Sequence, residues 1–134
     1  MPINTLDHVN IRTALLAETY AFYAELLGLT LSLAPGAKDT GMGAWLYDKS
    51  QRPVLHVGGV DVNYGDDSKG RPAKHGSGAV HHIAFDCSGY ADMLDKLEKM
   101  GLVARTNDVA SIGLRQIFIE DPNGVLVELN FRAD

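Results

Sequence analysis

Apolar and polar positions along this chain follow two kinds of period, and the two alternate in the same order twice. Residues 5–12 set Leu6, His8, Asn10 and Arg12 against Asp7, Val9 and Ile11, a period of two that predicts a strand. From Leu16 the apolar set becomes Leu16, Tyr20, Tyr23 and Leu27, one stripe of a helix, and Gly28 supplies the left-handed residue that closes many helices. Short strands are predicted over 30–33, 44–48 and 53–57. Residues 61–78 hold Gly65, Gly70, Pro72, Gly76 and Gly78 among charges with no apolar period, and read as a linker. The order then returns. Residues 79–86 predict a strand and Ser88 a helix N-cap; Tyr90, Leu94 and Leu97 form a helical stripe ended by Gly101; three strands are predicted over 102–106, 114–120 and 125–131. Asp121-Pro122-Asn123-Gly124 places turn residues between the last two. The predicted fold class is α+β: a single domain, 1–134, of two βαβββ modules, about 4–60 and 79–131.

The repeat extends to chemistry. His8 stands in Leu6-Asp7-His8-Val9-Asn10-Ile11, and His82 in Val80-His81-His82-Ile83-Ala84-Phe85, 74 residues later, each near the start of its strand. A strand and helix repeated with a histidine in the same place predicts half of a metal site, duplicated. The same interval carries His56 to within two residues of Glu128. Glu128 lies between Val127 and Leu129, where a carboxylate must be paired, exposed or metal-bound, because desolvating it alone is costly. His8, His56, His82 and Glu128 thus occupy equivalent strand positions. Imidazoles with a carboxylate suit Fe, Ni, Zn, Mn or Co better than Ca or Mg, and three such ligands leave positions open for a substrate. His81 alternates to the opposite face, and His75 falls in the linker, where it is expected to be solvent-exposed.

Composition narrows the setting. With 17 acidic against 12 basic residues and no basic run interleaved with aromatics, a nucleic-acid partner is not expected. Cys87 is the only cysteine and cannot pair within the chain; with no charged-then-apolar N-terminal segment, a cytoplasmic location is expected. No apolar run approaches the roughly 18 to 20 residues of a membrane span, so no membrane partner is expected either.

Leu6-Asp7-His8-Val9, Phe22-Tyr23-Ala24-Glu25-Leu26-Leu27-Gly28-Leu29, His82-Ile83-Ala84-Phe85, and Phe118-Ile119-Glu120-Asp121-Pro122-Asn123-Gly124 running into Glu128 span nearly the whole chain. This set resembles the vicinal oxygen chelate superfamily, which groups glyoxalase I, extradiol dioxygenases, methylmalonyl-CoA epimerase and the fosfomycin and bleomycin resistance proteins. The resemblance implies modules curling as a curved sheet around a divalent metal, often with two chains cooperating, hence a homodimer. It makes His8, His82 and Glu128 the ligands and places His56 where glyoxalase I has a glutamate ligand. Arg12 stands where glyoxalase I-like sequences carry an arginine that meets a substrate carboxylate. Asn10, Gln116 and Phe118 join Arg12 as expected substrate-binding residues, while Trp45 and Tyr47 form either a pocket wall or a packed sheet face. Reactions of the superfamily share a small-molecule substrate that chelates the metal through two neighbouring oxygens.

Departures from the subfamilies bear on the reaction. Extradiol dioxygenases place a tyrosine where Phe118 stands and a histidine some residues earlier, and residues 108–113 contain none. Glyoxalase I wants a carboxylate at position 56 and finds an imidazole. The expected function is a metal-dependent lyase or isomerase of glyoxalase type acting on a small oxygenated compound, with Glu128 or His56 moving a proton. The alternatives are an Fe(II) extradiol-type dioxygenase, and a binding protein that sequesters an antibiotic or aromatic ligand without turnover.

Overall fold

In the computed structural model, residues 4–33, 37–60 and 80–132 are described. The chain divides into two compact units, Met1–Ser77 and Gly78–Asp134. The first carries β1 (Val9–Thr13), α1 (Leu16–Tyr20), a π-helical segment (Ala21–Leu26), β2 (Thr30–Leu33), β3 (Gly43–Tyr47) and β4 (Pro53–Gly59). The second carries β5 (Ile83–Cys87), α2 (Tyr90–Lys99), β6 (Arg105–Val109), a 3-10 turn (Ala110–Ile112), β7 (Leu114–Glu120) and β8 (Leu126–Arg132). Each unit folds one four-stranded mixed sheet, β1-β4-β3-β2 and β5-β8-β7-β6, in which the first strand pairs parallel with the last and the other pairs are antiparallel. The fold is therefore α+β with two βαβββ modules. The predicted linker and His75 lie outside the described residues.

Alternation along the strands buries one face of each sheet. In the first unit Ile11, Ala44, Leu46, Leu55 and Val57 point inward and meet Phe22, Tyr23 and Leu26 of the helical segment among the buried residues. In the second, Ile117, Ile119, Val127, Leu129 and Phe131 are buried with Leu97 of α2. The opposite face of each sheet carries the polar residues of interest.

Four local expectations are corrected. Of the predicted stripe Leu16, Tyr20, Tyr23 and Leu27 only Tyr23 is buried, and Thr19, Phe22 and Leu26 are buried with it. The buried positions keep the i, i+3, i+4, i+7 spacing of a helical stripe but lie on a neighbouring face, starting at Thr19 in α1, and the π-helical segment that follows is closed by Leu27 N–H donating to the Phe22 carbonyl at 3.2 Å. Buried Thr19 is satisfied by donating its hydroxyl to the Leu15 carbonyl at 2.7 Å. Ser88 is not the N-cap of α2; Gly89 is, without a side-chain cap. The strand expected over 102–106 begins instead at Arg105, because the edge segment Arg-Thr-Asn-Asp-Val is mostly exposed and has no apolar alternation to reveal it. Lastly, β1 and β5 start at Val9 and Ile83, so His8 and His82 each sit immediately before the strand.

The β3–β4 and β7–β8 connections are the same turn built twice. Asp48 Oδ1 accepts from the backbone N–H of Ser50 (2.9 Å) and Arg52 (3.0 Å), and Asp121 Oδ1 accepts from Asn123 (2.7 Å) and Val125 (2.9 Å). In both, the aspartate carbonyl accepts from the residue three further on, Gln51 or Gly124. These residues take positive φ, 64° for Gln51 and 82° for Gly124. Glycine adopts that conformation without steric cost and glutamine does not.

Candidate functional site

Strand register fixes what the repeated histidines only imply. His56 on β4 lies opposite Asn10 on β1 and Trp45 on β3. Glu128 on β8 lies opposite Ala84 on β5 and Phe118 on β7. His56 and Glu128 therefore hold the same place in their sheets, and Trp45 and Phe118 do as well. Residues directly opposite share a face, so each row presents its side chains away from the buried core.

In the first unit the row is filled. The Trp45 indole stacks on the His56 imidazole with centroids 4.3 Å apart and planes 10° from parallel, and meets His8 edge-on at 4.9 Å. The two imidazoles stand 6.5 Å apart, centre to centre. Trp45 thus packs against both histidines on this face of the sheet. Asp7 Oδ2 lies 2.6 Å from Nδ1 of His8. Asn10 Nδ2 lies 3.0 Å from Nδ1 of His56, and Arg12 donates from Nε to Asn10 Oδ1 at 3.1 Å and from Nη1 to the Gly59 carbonyl at 3.2 Å. Asn10 and Arg12 thus hold His56 and the end of β4.

In the second unit the row is held by a chain of amides. Asn107 Nδ2 donates to Gln116 Oε1 (2.8 Å), Gln116 Nε2 to Asn130 Oδ1 (3.1 Å), and Asn130 Nδ2 to Glu128 Oε2 (2.8 Å). An ionised carboxylate only accepts, so each amide must point its donor toward Glu128. The other oxygen, Oε1, faces His82 Nε2 at 3.7 Å, with Glu128 15% and His82 39% exposed. That separation is long for a hydrogen bond. It fits a shared ion: donors each about 2.0–2.2 Å from one metal can stand up to roughly 4 Å apart. His82 Nδ1 lies 3.0 Å from Nδ1 of His81, so His81 contacts the site histidine rather than lying apart from it.

Gln116 is tied into the amide chain, and Phe118 lies beside Glu128 with the Arg105 guanidinium 5.8 Å above its ring. Arg105, Leu102, Val103, Leu126 and Phe118 also line a shallow cavity of about 310 Å³. Burial pushes the Cys87 thiol up from 9.0 to about 11, against the lowering effect of the Asn130 backbone and with a smaller contribution from Asp86, which disfavours the thiolate.

The structure thus brings together His8 with His56, and His82 with Glu128, one pair in each unit. Among the described residues no three His, Cys, Asp or Glu side chains form a single group able to hold a metal. Asp7, Asn107 and Asn130 are the partners that sequence reasoning missed. Asn130 was readable, since it stands two residues from Glu128 and so on the same face of its strand; Asp7 and Asn107 carried no such signal.

No curated protein matches the chain. Among solved structures, a putative glyoxalase family protein from Bacillus anthracis is 22% identical, with TM-score 0.68 over 99% of this chain and 98% of that one. A lactoylglutathione lyase from Agrobacterium tumefaciens is 18% identical, with TM-score 0.65 over 97% and 95%. A glyoxalase/dioxygenase from Nostoc punctiforme is 16% identical, with TM-score 0.73 over 98% and 92%. At these identities the likeness is one of fold. The family model for the Glyoxalase/Bleomycin resistance protein/Dioxygenase superfamily matches residues 5–129, and the chain belongs to that superfamily.

Proposed function

We propose that the protein is a divalent-metal-dependent lyase or isomerase of glyoxalase type, acting on a small oxygenated carbonyl compound. The observation that carries this reading is the pairing of His82 Nε2 with Glu128 Oε1 at 3.7 Å, while the other carboxylate oxygen is held by Asn130. His8, His82 and Glu128 would hold the ion, which supplies electrophilic stabilisation of negative charge developing on oxygen. Fe, Ni, Zn, Mn and Co all suit that donor set. The amide chain keeps the Glu128 carboxylate oriented, and the indole of Trp45 keeps the His56 ring in plane. Glu128 takes a proton from one carbon of the substrate and returns it to the neighbouring carbon, with His56 as the proton-bearing partner of the pair. Phe118, opposite Glu128, and Gln116, opposite Asn130, would contact the substrate.

Superfamily membership also supports a homodimer. Among the described residues no helix is long and apolar enough to cross a membrane.

Metal content of protein purified without chelator, followed by turnover of candidate α-oxygenated carbonyl compounds in deuterated water, tests the reading. Bound Ni, Co or Zn with solvent deuterium in the product is expected. Oxygen consumption coupled to product formation on Fe(II) would overturn it in favour of a dioxygenase, and tight ligand binding with neither metal nor turnover in favour of a sequestering protein.

A further inference from the structure

Two imidazoles three ångströms or less from different partners need not carry their protons on the same nitrogen. Asp7 is a carboxylate and accepts only; at 2.6 Å from Nδ1 it calls for a proton there, leaving the Nε2 lone pair of neutral His8 available. A histidine held by a carboxylate through one nitrogen, with the other free to coordinate, is the arrangement found behind metal-ligating imidazoles. His56 is held the other way round. Arg12 has no acceptor, so the Asn10 atom at 3.1 Å from its Nε must be the oxygen, Oδ1. Asn10 Nδ2 is then the atom facing His56 Nδ1 at 3.0 Å, and it can only donate. Nδ1 of His56 is therefore an acceptor, and the neutral ring carries its proton on Nε2.

We propose that Arg12 and Asn10 are positioning residues that lock His56 as an Nε2–H donor and so keep it out of the metal's ligand set. Coordination through Nε2 would need the proton on Nδ1. Asn10 would then have to turn its oxygen toward His56 and its NH2 toward Arg12, setting donor against donor. Coordination through Nδ1 would cost the Asn10 bond directly. A flip of the ring within its stack on Trp45, planes 10° apart, would put Cδ2 where Nδ1 stands and lose the bond to Asn10. The residue that stands in the place of Glu128 in the first unit thus bears its proton on a buried ring nitrogen, Nε2, while its counterpart is an acceptor. The tautomers follow from the hydrogen bonds alone; the statement about the ligand set rests on the metal reading above.

The experiment reads the imidazole nitrogens of 15N-labelled protein by long-range 1H–15N correlation at about pH 8, above the ordinary imidazole range, before and after one equivalent of Zn(II). Expected are Nδ1–H for His8 and Nε2–H for His56 in the metal-free protein, with zinc shifting His8 Nε2 and leaving the His56 pattern unchanged. Asn10→Asp, which can only accept, should convert His56 to Nδ1–H. Zinc affinity should be within about threefold of wild type in His56→Gln, while Asp7→Ala should lower it by the roughly 10–100-fold typical of a lost outer partner. Nδ1–H on wild-type His56, or a zinc-induced shift of its Nε2, overturns the proposal. Tautomers as expected with no zinc uptake would overturn the metal reading and leave the lock standing. The wild-type spectrum decides even where Asn10→Asp fails to fold.

Discussion

The two units repeat a backbone and diverge in what they attach to it. Each puts an acid–base side chain at the same register on its last strand, beside an aromatic residue: His56 next to Trp45, Glu128 next to Phe118. In the first unit the amide that holds this side chain comes from the neighbouring first strand, Asn10, and is pinned by a cation. In the second, the place of Asn10 is taken by Ala84, and the amide comes from the same strand, Asn130, backed by two more across the sheet. The repeat therefore keeps a polar side chain at one register, while the partners in each unit set separately whether it gives or accepts a hydrogen bond. One unit presents a donor and the other an acceptor.

The sharpest way to break this comparison is to remove its two centres in turn. Glu128→Ala should lose most of the bound metal, together with the thermal stabilisation that a ligand of the folded state confers, and should abolish turnover. Metal analysis and melting curves with and without metal check this, and unchanged metal content would end the assignment. His56→Gln should instead keep metal while lowering kcat by roughly 10²–10⁴-fold, as for a lost acid–base group, measured under the same metal loading. Proportionate loss of metal and activity would make the two positions alike after all. Asn130→Ala cuts the amide chain at Glu128 and should weaken metal binding by about 10–100-fold, read by competition against a chromogenic chelator.

Smaller effects probe the scaffold. Gln51→Gly should stabilise the protein by about 1 kcal/mol and Gly124→Ala destabilise it by about 1–2 kcal/mol, since the twin turns demand the same positive φ of both; urea melts give both values. At the position of Thr13 the second unit carries Cys87, whose raised thiol pKa implies the smallest effect. The folded state favours the protonated thiol, so its contribution is intact below the ordinary 9.0 and is lost as pH rises through about 11. Alkylation by iodoacetamide at pH 8 should accordingly be much slower than for an unfolded control.

The duplicated architecture was legible in the sequence because alternation, helical stripes and terminal glycines repeat in order. The histidine interval, however, carries His56 two residues beyond Glu128. One of those two is a bulge: eight residues separate Asp48 from His56 but seven separate Asp121 from Glu128, and the β3–β4 register slips between Leu46 and Tyr47. The other lies between the first and third strands, since 35 residues separate Asn10 from Trp45 and 34 separate Ala84 from Phe118. Neither shows as a change in periodicity. Hydrogen-bond partners were illegible for a different reason: only the parallel pairing of β1 with β4 reveals that Asn10 meets His56 and that Arg12 meets Asn10 and Gly59.

That parallel pairing also orders events on the ribosome. The bonds from Asn10 to His56 and from Arg132 to Asp86 each join residues 46 positions apart, from the first strand of a unit to its last. At the roughly 5–20 residues per second of synthesis, the opening histidine of each unit waits some seconds before its partner strand exists. During that interval a nascent chain holds only part of each row of polar side chains. Because β4 ends at Gly59 and β5 begins at Ile83, the donor half is complete before synthesis of the acceptor half has begun.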